Sequence, residues 1–334
     1  MVSIRDVAKQ AGVSVSTVSR VINKKSCVST EKRNKILRII KETGYVPNRA
    51  ARDMVLKQTS TIAIVLPATF NLFQKQLFAD IAHNLEKFGY RTSFYFVEQN
   101  QEGESTCLHR LKGERLDGII LLNEIAHPEF HDYLSKNNIP TVIVTFEKPE
   151  WEVTSIHISE EDAADAVVSY LIKQGHRKIA LLCGRKYSFA IQRQRGYCRA
   201  LKKAGIPYDE NLIVYIDSYS VSDGMAGMKK LLDEKREFTA LFAMTDELAI
   251  GAIRQLKDAG YAVPKDISVV GFDGIDISAY SIPRLTTILQ PLKEMGQMSA
   301  TLIHSLICNK KQLNVNIVLP FTLRESESTA PLVH

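Results

Sequence analysis

Residues 4 to 23 read I-R-D-V-A-K-Q-A-G-V-S-V-S-T-V-S-R-V-I-N, and this spacing constrains the fold of the 334-residue chain more than any other feature. Ile4, Val7, Ala8 and Ala11 share one face of a short first helix. Ala8 is small enough for a second helix to cross closely, and Gly12 supplies the turn between them. Ser14 is placed to cap that second helix, which would bury Val18, Val21 and Ile22 and turn Val15, Ser16, Ser19 and Arg20 outward. A third amphipathic segment, about 29 to 43, would place Ile36, Leu37, Ile39 and Ile40 inward, with Lys32, Arg33, Lys35, Arg38 and Lys41 in solvent. A plain three-helix bundle shares the periodicity, but the joint placement of Ala8, Gly12, Val13, Val18 and Val21 points to a helix-turn-helix.

Charge agrees with that reading. Residues 1 to 60 hold 13 Lys and Arg against 4 Asp and Glu, whereas the rest of the chain is slightly acidic. A basic module on an acidic body suits binding to a phosphate backbone, where neutralised phosphates release condensed counterions. In such a module the second helix enters the major groove, whose base edges carry a distinguishable donor and acceptor code. Val15, Ser16 and Arg20 are the base-reading candidates: Arg20 could pair with a guanine, and Val15 could pack on a thymine methyl. Ser14, Thr17, Ser19, Asn23 and Ser29 complete the DNA-facing set, chiefly as phosphate contacts.

Next comes Y-V-P-N-R-A-A-R-D-M-V-L at 45 to 56, where Pro47 ends the third helix and Asn48 could cap a short fourth. Together with V-A-K-Q-A-G-V-S-V-S-T-V-S-R-V-I-N, this run resembles the lactose and galactose repressor family of bacterial regulators. The resemblance implies a hinge helix that pairs with its dimer mate on DNA, with Asn48, Arg49, Ala51 and Met54 as further DNA contacts. Met54 stands where that family pushes a leucine into the minor groove, and methionine is flexible and apolar enough to wedge a base step.

From Thr61 onward, short apolar runs alternate with helix-length amphipathic stretches, the pattern of parallel sheets. Strands are expected near 62–66, 92–97, 118–122, 141–145 and 155–158, then near 179–183, 212–216, 239–243 and 267–272. Two doubly wound lobes would leave a cleft at the carboxyl ends of their strands, where such folds place ligands. The fold class is therefore α/β: an all-α helix-turn-helix domain over 1–47, a hinge and linker over 48–60, and a two-lobed core over 61–334. The first lobe would take about 61–159 plus 290–319, and the second about 160–288 plus 320–330.

L-D-G-I-I at 116–120, G-H-R-K-I-A at 175–180, T-D-E-L-A-I-G-A at 245–252 and V-P-K-D-I-S-V-V-G-F-D at 263–273 extend the resemblance over nearly the whole chain. The core is similar to periplasmic sugar-binding proteins, with three strands crossing between lobes. By this resemblance Arg193, in Q-R-Q-R-G-Y, and Asp273, ending G-F-D, anchor a small effector. Phe73, Phe146 and Tyr219 fall at its aromatic platforms, with core packing as the rival role, and Thr245 stands where relatives carry an amide. Asp246 reads as the N-cap of a helix over 246–259, and His176 as satisfying a turn.

The remaining features exclude more than they add. Five scattered cysteines (Cys27, Cys107, Cys183, Cys198 and Cys308) show no C-x-x-C spacing, so neither a zinc site nor a disulfide framework is indicated. No G-x-G-x-x-G, G-x-x-x-x-G-K-[ST] or G-x-S-x-G run follows an expected strand, which argues against an enzyme. No apolar stretch suits a secretion signal or membrane span, so a cytoplasmic protein is expected. The combined expectation is a homodimeric regulator without cofactor or metal that binds operator DNA under control of a sugar or sugar phosphate. Two alternatives stand beside it: a catabolite-type global regulator with a protein co-effector, against which Thr301 replaces that class's arginine, and a solute-binding protein. No leucine heptads follow the core, so a tetramer is not expected.

Overall fold

The computed structural model describes residues 2–22, 28–45, 59–69, 71–146, 148–185, 187–309 and 314–332. The chain divides into a small unit, residues 1–59, and a large one, residues 60–334.

In the small unit, α1 (Ile4–Ala11) starts with a reciprocal cap: Ser3 Oγ accepts from the Asp6 amide while the Asp6 carboxylate accepts from the Ser3 amide. Gly12 ends it with φ +67°, a left-handed conformation that a side chain would strain. Ser14 Oγ then accepts from the Thr17 amide at 3.2 Å and opens α2 (Val15–Ile22). With α3 (Thr30–Thr43) these helices enclose Val7, Ala8, Ala11, Val18, Val21, Ile36, Ile39 and Tyr45. Leu37 departs from the expected inward set and is 48% exposed. One helical step of about 100° past Ile36 carries it off the stripe that Ile36, Ile39 and Ile40 form.

The large unit contains two parallel sheets. In the first, β1 (Thr61–Pro67), β2 (Arg91–Val97), β3 (Gly118–Leu121), β4 (Thr141–Val144), β5 (Thr154–Ile158) and β11 (Asn316–Leu319) lie in the order β11-β5-β4-β3-β1-β2. In the second, β6 (Ile179–Cys183), β7 (Ile213–Tyr215), β8 (Ala240–Ala243) and β9 (Ser268–Val270) lie in the order β7-β6-β8-β9. Every neighbouring pair in both is parallel. The interior strands β1, β3, β4, β6 and β8 are buried at every position, because helices cover both faces and leave no polar side for alternation.

Helices α4 (Leu72–Lys87), α5 (Gln101–Lys112), α6 (Pro128–Lys136) and α11 (Leu292–Asn309) belong to the first lobe. Helices α7 (Glu160–Lys173), α8 (Ser188–Lys203), α9 (Val221–Asp233) and α10 (Asp246–Asp258) belong to the second. The chain crosses between lobes after β5, between β10 (Thr287–Leu289) and α11, and between β11 and β12 (Thr322–Arg324). Strands β10 and β12 pair antiparallel, a small ribbon that the sequence pattern did not suggest. Close approach of α7 and α8 depends on Gly196, where a Cβ would lie 2.3 Å from the Glu161 carbonyl oxygen.

Candidate functional site

In the small unit the expected base-reading face is open. Val15 is 40% exposed, and Ser16 and Arg20 are exposed beside it. Ser14 Oγ lies 2.8 Å from Ser16 Oγ and 2.9 Å from Thr17 Oγ1, so three hydroxyls gather at the start of α2. Ser19 is half-buried, and Ser29 precedes α3 without a side-chain cap bond. Asn23, Asn48, Arg49, Ala51 and Met54 lie outside the described residues.

In the large unit, all six expected effector residues border one cavity of about 320 Å³ between the lobes: Phe73, Phe146, Arg193, Tyr219, Thr245 and Asp273. The strand ends explain this convergence. Loops after β1, β3 and β4 approach it from the first lobe, while the start of α8 and the loops after β7, β8 and β9 approach from the second. Two bordering residues hold left-handed backbone, Thr145 at φ +80° and Asp273 at φ +113°. A β-branched threonine is rare there, and such outliers cluster at ligand sites.

Arg193 is 3% exposed and donates through each of its three nitrogens. Its Nε donates to Glu160 at 2.7 Å, its Nη2 to Asp273 at 3.3 Å, and its Nη1 to the Met244 carbonyl. The guanidinium lies 3.5 Å from the Phe272 ring centroid and 4.9 Å from that of Phe189. Gly196, one turn along α8, lets that helix press on α7, whose first residue is Glu160, and so the ion pair follows from helix packing. Asp273 also accepts from Gln290 Nε2 at 2.9 Å. Burial drives the Asp273 carboxyl well above the ordinary carboxylate range, against the opposing pull of Arg193.

The aromatic platforms hold two roles at once. Phe73 and Phe146 are 8% and 6% exposed and belong to hydrophobic core clusters, yet each borders the cavity. Tyr219 packs with Tyr187 and Phe189, its ring centroid 5.7 and 5.3 Å from theirs. Its hydroxyl rests against Gly184, where a Cβ would come within 2.0 Å.

One expectation is corrected. Thr245, not Asp246, caps α10, its Oγ1 accepting from the Leu248 amide at 3.3 Å. Asp246 is the first helical residue and fully buried, accepting from the Ile275 amide at 2.9 Å and from Thr287 Oγ1 at 2.5 Å. It thereby ties α10 to the loop after Asp273 and to β10. His176 joins Thr239 Oγ1 and the Ala330 carbonyl, tying the turn before β6 to the last segment of the chain.

Asn123, Glu124, Tyr187 and Phe189 were not anticipated, although Asn123 and Glu124 follow β3 at a carboxyl edge where parallel sheets present ligand groups. Asn123 is 3% exposed; its Oδ1 accepts from Gln99 Nε2 at 3.0 Å, whereas its Nδ2 has no partner among the described residues. A buried amide donor without a partner at a cavity wall is costly unless something that enters the cavity accepts from it. Among the described residues no cluster of His, Cys, Asp and Glu could hold a metal ion.

An exposed helix-turn-helix face and a two-lobed α/β body with a polar cleft define a DNA-binding regulator with a small-molecule site. Residues 3–48 match the model for bacterial regulatory proteins of the lacI family, and residues 168–329 match that for periplasmic binding protein-like domains. The catabolite control protein A of Priestia megaterium is 34% identical over 98% of this chain and 99% of its own length. A lac repressor dimer bound to operator and the anti-inducer ONPF aligns at a TM-score of 0.87, with 30% identity over 98% and 99% of the two chains. A complex of the transcriptional regulator CelR with cellobiose aligns at 0.73, with 30% identity over 98% and 100%. The chain belongs to the lacI family of bacterial regulatory proteins and is a DNA-binding transcription regulator.

Proposed function

We propose that this regulator represses a carbohydrate-utilisation operon as a homodimer on a palindromic operator, with its DNA affinity set by a sugar-like effector in the interlobe cleft. The Nδ2 donor of Asn123, which has no partner among the described residues, on the wall of a 320 Å³ cavity carries the effector part of this reading. Aromatic faces and hydrogen-bonding groups on that wall suit a ring bearing hydroxyls. The cellobiose bound to the CelR relative is of this class. A two-fold dimer would align two recognition helices with the two half-sites of a palindrome.

Fluorescence anisotropy on palindromic DNA from the protein's own promoter region, titrated with a panel of sugars at fixed salt, tests the reading. A sugar that shifts DNA affinity supports it. Tight DNA binding unmoved by every sugar would favour a protein co-regulator instead, the alternative that the similarity to catabolite control protein A supports.

Two substitutions separate the modules. Arg20→Ala should cost about 1–3 kcal/mol at one operator base pair and relax the preference there. Uniform weakening across sequences would reassign Arg20 to a phosphate. Asn123→Ala should weaken the effector about 3- to 10-fold, the loss of one net hydrogen bond of about 0.5–1.5 kcal/mol. An unchanged effector affinity would remove Asn123 from the site.

A further inference from the structure

The cavity is unbalanced in charge. Among the described residues bordering it are five carboxylates, those of Glu124, Glu160, Asp217, Glu247 and Asp273, and one guanidinium, Arg193. That guanidinium is buried, donates through each nitrogen to Glu160, Asp273 and the Met244 carbonyl, and has its charge offset by two adjoining carboxylates. Setting Asp273 aside because it is paired with Arg193 still leaves four carboxylates bordering the cavity.

Helix N-termini are the other source of positive potential at the carboxyl edges of parallel sheets. Here two of them are already occupied, each by a carboxylate from the opposite lobe. Glu124 of the first lobe accepts from the Ser188 amide at 3.0 Å and from Ser188 Oγ at 2.5 Å, at the start of α8 in the second lobe. Glu247, in the first turn of α10 in the second lobe, accepts from the Leu72 amide at 2.9 Å, at the start of α4 in the first lobe. The two bonds cross the cleft in opposite directions and hold the positions an anion would take.

We propose that this cleft binds an uncharged, hydroxyl-rich ligand and excludes phosphorylated ones, with Glu124 and Glu247 as its specificity-determining residues. This rests on the effector reading above. A phosphate entering the cleft meets carboxylates in a partly desolvated space, where like charges are weakly screened, and finds the N-termini of α4 and α8 taken. A hydroxylated neutral ring finds acceptors in those carboxylates and a donor in Asn123 Nδ2.

Isothermal titration of the full chain with matched pairs provides the test: glucose and glucose 6-phosphate, ribose and ribose 5-phosphate, cellobiose and its 6′-phosphate. In any pair that binds, the neutral member should bind at least tenfold tighter. The double variant Glu124→Gln/Glu247→Gln keeps an oxygen for each amide but removes both charges, and it should narrow that ratio about tenfold. Asp217→Asn, at an exposed position, should narrow it less and serves if the double variant does not fold. A phosphorylated member binding as tightly as its partner overturns the exclusion while leaving the effector reading intact. A ratio unmoved by every variant overturns the assignment to these carboxylates. Silence from every pair overturns the sugar reading, and this inference falls with it.

Discussion

Arg193→Ala should destabilise the large unit by about 3–5 kcal/mol, the loss expected when one member of a buried ion network is removed and its partners stay behind. The truncation strands the Glu160 and Asp273 carboxylates at 4% exposure each and deprives the Met244 carbonyl of its donor. It also opens a space between the Phe189 and Phe272 rings that now flank the guanidinium. Urea denaturation at neutral pH measures the loss. A cost under about 1 kcal/mol would show that Arg193 is held by packing alone.

Asp246→Asn should change how stability depends on pH. Burial pushes the Asp246 carboxyl up to about 7 from its ordinary 3.8, despite hydrogen bonds from Thr287 and Ile275 that favour the charged form. A carboxyl raised in the folded state contributes stability that is fully present below about pH 4 and is lost as pH rises through about 7. At 1.36 kcal/mol per unit the range is about 4 kcal/mol. Asparagine can accept from the Ile275 amide and donate to Thr287 Oγ1, so it should remove this slope while keeping the link between α10 and β10. Unfolding free energies of wild type and variant, compared from pH 4 to 8, isolate the effect because the other acids are common to both. Parallel curves would show that Asp246 titrates as an ordinary carboxylate.

What could be read from the sequence was whatever is written locally. The strands β1 to β9 lie close to their expected places, because the interior ones, covered on both faces, read as apolar runs, whereas the edge strand β2, R-T-S-F-Y-F-V, shows through its aromatic and β-branched residues with one face exposed. The short crossing strands β10 and β12 are three residues each and leave no such run. The cap of α10 was misplaced by one residue, since Thr245 and Asp246 are both good capping types and only the backbone decides which one stands outside the helix. In the cleft, the anticipated residues came through motifs. The carboxylate bonds of Glu124 to Ser188 and Glu247 to Leu72 join residues 64 and 175 positions apart, a juxtaposition no local pattern encodes. The pairing of Arg193 with Glu160, 33 positions apart, follows from a helix contact that Gly196 permits, so its sequence trace is a glycine and not a charge pattern.

The three crossings between lobes bear on how the chain is made. Helix α11 seats Ile303 against Gly118 of β3, and β11 forms the edge of the first sheet beyond β5. On a ribosome the first lobe therefore waits, its β3–β5 surface uncovered, while the strands of the second lobe emerge and can pair among themselves. The lobe translated first closes only after the four strands of the second sheet have been made.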